Sequence, residues 1–143
     1  VTGVQTCALP ILHQTGLDPR RLDLEITESD VFNENTRSLE ILSQLRELGI
    51  QISIDDFGTG YSSLSRLSYF PFDKIKIDRS FVINIPEQKD DLDIVRLIIS
   101  MGKSLHMRIV AEGVETEEQL ASLQALGCDL VQGYLIGKPS PLR

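Results

Sequence analysis

Five strand-like runs, the first three alternating apolar and polar residues, separated by helical periodicity or a glycine-rich loop, constrain this chain more than any other feature. Alternation with period two marks an extended strand, whereas apolar residues three and four apart mark one face of a helix. Strand and helix in succession require crossover connections, and these produce a parallel sheet covered by helices. The runs are Leu22–Glu28, Ile50–Asp56, Phe72–Asp78, Arg108–Glu112 and Leu130–Leu135. A helix is expected from about Thr36 to Leu48, with Leu39, Leu42, Leu45 and Leu48 on one face and Gly49 as its stop. A shorter helical segment is expected around Ser62 to Tyr69, ahead of Pro71. A longer one runs from roughly Leu92 to Leu105 and presents Val95, Ile98, Ile99 and Leu105. Thr116 and Gln119 have the spacing of a capping box, opening a helix with Leu120, Leu123 and Leu126 that closes at Gly127.

Such repeats fit either a doubly wound sheet or part of a (β/α)8 barrel. Central strands of a doubly wound sheet are apolar on both faces. Here one face of each strand is polar: Asp23, Glu25 and Thr27; Gln51 and Ser53; Lys74, Lys76 and Asp78; Gln132 and Tyr134. A polar inner face suits a barrel lumen leading to a site, so the expected fold is an incomplete TIM-type barrel holding about the last five β/α units.

The chain of 143 residues is long enough for one domain with a real core. Its net charge of -7 argues against a nucleic-acid duplex as partner, because no basic stripe could neutralise the phosphates. A small phosphorylated ligand stays compatible with that charge if a metal supplies the positive charge. No apolar run approaches the length of a membrane span, so no membrane contact is expected from this segment. Cys7 and Cys128 offer neither a disulfide framework nor zinc-ligand spacing, which fits a cytoplasmic setting. Residues 1–11 carry no charge and no clear period, and Gly3 to Ile11 reads as the translation of a sequencing adapter (GGA GTT CAG ACG TGT GCT CTT CCG ATC). They are expected to be non-native, with 12–143 the C-terminal part of a domain.

Functional groups collect at the strand ends: Glu25 and Glu28, Asp55 and Asp56, Lys76 and Asp78, Glu112, and Gln132. In a (β/α)8 barrel those ends converge on one rim, where the active site lies. Carboxylates crowded around one point do not all stay ionised without cations. Oxygen ligands with no Cys or His beside them select magnesium, manganese or calcium. Two such ions suit in-line attack on a phosphodiester, with Lys76 placed to orient or deprotonate water or to balance phosphate charge. Taken singly, Glu25 reads as a solvent-facing strand residue, Lys76 as an ion-pair partner of Asp78 or Asp55, and Gln132 as uninformative. Their coincidence carries the reading. His13 and His106 read as surface residues, and Tyr61, Tyr69 and Phe70 as packing residues.

Together these motifs resemble the EAL-domain family of bacterial cyclic di-GMP phosphodiesterases. The matching segments are Glu25-Ile26-Thr27-Glu28-Ser29, Asp55-Asp56-Phe57-Gly58-Thr59-Gly60, Lys76-Ile77-Asp78-Arg79-Ser80-Phe81, Ala111-Glu112-Gly113-Val114-Glu115-Thr116 and Gln132-Gly133-Tyr134. The resemblance covers the chain from Leu12 onward and implies hydrolysis of cyclic di-GMP to linear pGpG with two Mg2+ or Mn2+ ions, Ca2+ being inhibitory. It implies that Glu25, Asp55 and Asp56 are metal ligands, with Asp55 as the bridge, and that Glu112 is a further carboxylate of the cluster. Lys76 then resembles the residue that holds or activates the attacking water, and Gln132 an orienting group. Phe57, Gly58, Thr59 and Gly60, running on to Ser63, resemble the loop that links substrate, metal and homodimerisation, with Glu28 as its anchor and Asp78 beside the substrate. The family's Glu-Ala-Leu glutamate and a metal-binding asparagine do not occur in residues 12–143, so the isolated chain is expected to be inactive and unstable. The rival readings are a non-catalytic cyclic di-GMP receptor and a Schiff-base barrel enzyme using Lys76.

Overall fold

The computed structural model describes residues 10–28, 30, 36–59, 67, 69–70 and 72–141, with backbone only for 36–38. Its regular elements are β1 (Asp23–Thr27), α1 (Thr36–Glu47), β2 (Gln51–Phe57), β3 (Lys74–Ile77), α2 (Arg79–Val82), α3 (Lys89–Ser104), β4 (Arg108–Glu112), α4 (Glu117–Leu126) and β5 (Leu130–Gln132). All five strands form one parallel sheet in the order β1-β2-β3-β4-β5, each beside its neighbour in sequence. The expected helical segment from Ser62 to Tyr69 lies almost wholly outside the described residues, as does Tyr61.

The strands turn one face to the helices and the other to the lumen. Ile26, Ile52, Ile54, Ile75, Ile77, Ile109 and Ala111 join Leu42, Val95, Ile98, Ile99 and Leu123 of the helices in the main apolar core. A second cluster of Leu12, Ile41, Leu45 and Ile50 seals the sheet beside β1. Gly102 lets α3 approach β4 closely, since a Cβ there would fall 2.1 Å from the Ile109 side chain. Two aspartates just ahead of strands complete the ladder of a neighbouring strand: Asp73 Oδ2 accepts from the Ile52 N–H at 2.9 Å and Asp129 Oδ2 from the Ile109 N–H at 2.8 Å. Buried strand-end amides thus keep partners where the backbone supplies none.

The structure moves four sequence expectations. Leu48 is 52% exposed, because α1 ends at Glu47 and the chain turns at Gly49, leaving Ile50 to take the buried place. Helix α3 begins three residues before Leu92, with Asp90 and Asp91 in a polar first turn that carries no apolar period yet suits the helix dipole. Strand β5 stops at Gln132 rather than Leu135, because the chain beyond it pairs with a loop: Val114 N–H donates to Gln132 O and Leu135 N–H to Val114 O. Tyr69 is 77% exposed and does not pack, whereas Phe70 is buried and its ring stacks on Phe72 at 5.5 Å. The capping box of Thr116 and Gln119 is present, and α4 closes on Gly127 with a left-handed φ of 79°. Among the described residues, no helix is long and apolar enough to cross a membrane.

Candidate functional site

On the lumen face the register sets side chains in two tiers. Cα pairing places Asp23 beside Gln51, Glu25 beside Ser53, Ser53 beside Lys74 and Lys76 beside Val110. In the lower tier the Ser53 hydroxyl, fully buried, donates to Asp23 Oδ1 at 2.7 Å, while the Lys74 ammonium pairs with Asp23 Oδ2. That tier balances its own charge. Asp23, Ser53 and Lys74 stand two residues before Glu25, Asp55 and Lys76, and this spacing was the sequence signal for a second tier, although none of the three was assigned to the site.

The upper tier does not balance. Lys76 Nζ lies 2.7 Å from Glu25 Oε1, 2.7 Å from Glu112 Oε1 and 3.0 Å from Asp55 Oδ1, joining the ends of four strands at one ammonium whose side chain is 9% exposed. Burial alone lowers the affinity of such a lysine for its proton, but the close carboxylates of Glu112, Glu25 and Asp55 more than reverse this and hold it above the ordinary lysine range. In this arrangement Lys76 stays an ammonium, a fixed hydrogen-bond donor. Three carboxylates against one ammonium leave the tier two charges negative.

Asp56 follows Asp55 with a φ of 54°, a left-handed backbone that Asp tolerates better than most residues. Desolvation, then repulsion from Asp55 and Asp78, pushes its carboxyl above the ordinary range, with Glu25 adding and Lys76 opposing. Glu28, only 2% exposed, accepts from the Gly58 N–H at 2.9 Å and so ties the end of β1 to the loop that follows Asp56. Phe57 is buried, and Thr59 closes the first turn of that loop by donating from its hydroxyl to Asp56 O at 2.8 Å. Gly60 lies outside the described residues. Asp78 caps α2 by accepting from Ser80 N–H at 3.0 Å. Gln132 ends β5 beside Glu112 and lines the lumen cavity of about 270 Å³ with Asp23, Glu25, Ser53, Lys74 and Lys76.

Among the described residues, no three acidic, imidazole or thiol side chains close on a point by themselves. The Lys76 ammonium stands between the carboxylates instead. The donor set still fits a hard cation: it is all oxygen, its net charge is two negative, and buried Asp55 Oδ1 takes the ion pair to Lys76 but no aligned hydrogen bond. Of the site residues expected from the sequence, Glu25, Asp55, Lys76 and Glu112 meet at one rim with Gln132 beside them, whereas Phe57 is buried in the apolar core, Asp78 spends its carboxylate on a helix cap and Gly60 is not described.

Known proteins share this fold. The solved structure described as PaMucR Phosphodiesterase, c-di-GMP complex, matches with a TM-score of 0.92 and 46% identity over 97% of this chain and 56% of its own. Klebsiella pneumoniae BlrP1, solved as a manganese/cy-diGMP complex, matches with a TM-score of 0.79 and 40% identity over 87% of this chain and 32% of its own. The Pseudomonas aeruginosa protein named cyclic di-GMP phosphodiesterase NbdA is 50% identical over 131 residues, 92% of this chain and 17% of that protein. The chain thus spans about a sixth of the length of the curated relatives it matches. The five-stranded sheet is part of the TIM-type barrel such domains form. Since the model of the EAL domain matches residues 4–139, this chain belongs to the EAL domain family.

Proposed function

We propose that the protein carrying this segment hydrolyses cyclic di-GMP to linear pGpG, using two divalent ions held at the upper tier. The observation that carries the reading is the meeting of Glu25, Asp55 and Glu112 at Lys76, with a negative charge in excess. Glu25, Asp55 and Asp56 would hold the ions, Asp55 between them, with Glu112 as a further carboxylate. Bound divalent ions polarise phosphoryl oxygens and turn water into a nucleophile at neutral pH. The ions are Mg2+ or Mn2+ on this reading, and Ca2+ inhibits. The NbdA and MucR names and the manganese complex of BlrP1 support it.

The chain's own residues supply position and charge. Lys76, kept protonated, donates a hydrogen bond to the attacking water or to a phosphoryl oxygen, and its rigid setting holds that donor in line. Gln132 orients the same region from the end of β5. Glu28 fixes the start of the loop after β2 through the Gly58 amide, so that Asp56 keeps its left-handed backbone. Asp78 shapes the rim from the start of α2. The protein acts in the cytoplasm as a homodimer on this reading, and residues 1–11 are non-native. Re-sequencing the source DNA across the Ile11–Leu12 junction checks that last point. An in-frame Glu-Ala-Leu segment in place of residues 1–11 would support it.

The test is to incubate the intact protein with cyclic di-GMP and Mg2+ or Mn2+ and resolve the products by chromatography. Linear pGpG that disappears on adding a chelator or in the Lys76→Met variant supports the reading. Tight binding without turnover would convert it to a receptor. Trapping by borohydride on Lys76 would convert it to Schiff-base chemistry.

A further inference from the structure

Beneath the carboxylate rim, the lower tier repeats the plan of the upper one with fewer acids. Lys74 and Lys76 stand two residues apart on β3, and each reaches back over β2 to a carboxylate of β1, Lys74 to Asp23 and Lys76 to Glu25. Strands two places apart in a sheet are separated by about 10 Å, so these bridges need a side chain as long as lysine. Under the lower bridge β2 presents Ser53, small and fully buried, whose hydroxyl donates to Asp23. Under the upper bridge it presents Asp55, a second carboxylate 3.0 Å from the Lys76 ammonium. On β4 Glu112 supplies a third, whereas the position two residues earlier is Val110, 8% exposed.

The difference matters once Glu25 and Asp55 turn their oxygens to divalent ions. Lys76 then loses two of its three acceptors, in a setting where its side chain is 9% exposed and an unpaired charge is costly. It can turn up, to water and phosphoryl oxygens at the rim, or down, to another carboxylate. Both lysines and Asp23 border the lumen cavity of about 270 Å³, which Val110, Leu130 and Val131 close with apolar side chains. Apart from Glu25, Asp23 is the one carboxylate among the residues lining it. The Lys76 ammonium is already drawn across to β1 at Glu25, and the tier below on that strand is about 6.6 Å away. Asp23 is the next anion beneath it, and Lys74 occupies that anion.

We infer that Lys74 is a positioning residue for Lys76, an inference that rests on the function proposed above. By neutralising Asp23 it denies Lys76 a resting place in the lower tier, and so keeps that ammonium at the rim, where water and phosphate are met. Without Lys74, Asp23 would stand as an uncompensated anion below the rim, beside the space the lost side chain leaves. Lys76 would descend to it, leaving Glu25 and Asp55 free for cations but the rim without its donor. Metal binding and turnover would then part company, which the loss of a merely structural strut does not predict.

The experiment uses the intact protein as wild type, Lys74→Met, Lys74→Gln, and Lys74→Met combined with Asp23→Asn. Mn2+ binding without substrate is measured by calorimetry, turnover of cyclic di-GMP at steady state, and folding by thermal melts. Lys74→Gln keeps a donor to Asp23 without the charge, and serves if Lys74→Met does not fold. In the single variants kcat should fall about 10- to 100-fold while Mn2+ binds as tightly as in the wild type or more so. Adding Asp23→Asn should restore most of kcat, because the competing anion is gone. Mn2+ affinity and turnover that fall together by about 10- to 100-fold, with no recovery in the double variant, overturn the inference. Unchanged kcat in the single variants also overturns it and leaves the phosphodiesterase reading intact. A wild type that neither binds Mn2+ nor turns over cyclic di-GMP overturns both.

Discussion

Removing the ammonium of Lys76 leaves three carboxylates facing one another across a part-buried lumen. Without metal, Lys76→Met should lower stability by about 1–3 kcal/mol, a figure held down because Glu25 is half exposed. Adding Mg2+ or Mn2+ should then raise the melting temperature more in the variant than in the wild type, since the ion replaces the missing charge. Scanning calorimetry with and without chelator decides this, and an equal metal response in both proteins would sink the charge-balance account. Asp56 behaves in the opposite sense. Its carboxyl is pushed up in the folded state, so ionising it costs stability at pH values above that raised pKa, and the cost vanishes below the ordinary value of 3.8. Asp56→Asn should therefore stabilise the metal-free protein at neutral pH and make no difference near pH 3, while weakening metal binding. Melting curves across that range would show it; a stabilisation independent of pH would count against it.

At the scale of elements, the buried Glu28 carboxylate links the end of β1 to the loop after β2. Glu28→Ala should release the Gly58 amide, cost about 1–3 kcal/mol and speed hydrogen exchange there, with metal affinity falling as Asp56 loses its fixed backbone. Unchanged exchange at Gly58 would show that the loop holds itself. The same elements mark how far the sequence could be read. Strand alternation, the short apolar run of β4 and the Thr116–Gln119 cap are local signals, and they located β1 to β4 and α4 within a residue or two of their places. Glu25, Asp55, Lys76 and Glu112 were legible because parallel pairing sends all strand ends to one rim. What stands across from a residue is not local. The balance of Asp23, Ser53 and Lys74, the ladder rungs supplied by Asp73 and Asp129, and the early end of β5 against Val114 all depend on chain neighbours that no periodicity encodes. Asp78 illustrates the same limit, since a carboxylate at a strand end serves a helix cap as readily as a substrate.

For the whole molecule, β1 and β5 each have one paired side among the described residues, and β5 carries exposed Leu130 next to exposed Tyr134 and Ile136. Unpaired parallel edges invite association with other chains. The isolated chain of 143 residues should elute as a mixture of species larger than a monomer and show no turnover, whereas the intact protein should turn over cyclic di-GMP. Size-exclusion chromatography with light scattering reads the first half of this, and a sharp monomer peak with a cooperative melt would refute it.

The strand order has a consequence for how the protein is made. Because each strand pairs with the one before it in the chain, every β/α unit emerging from the ribosome meets its partner already in place. Assembly can then proceed in the direction of synthesis, like courses of brick laid on a standing wall. The carboxylate tier around Lys76 is completed only when Glu112 arrives at the end of β4, after Glu25, Asp55 and Lys76 are already in place.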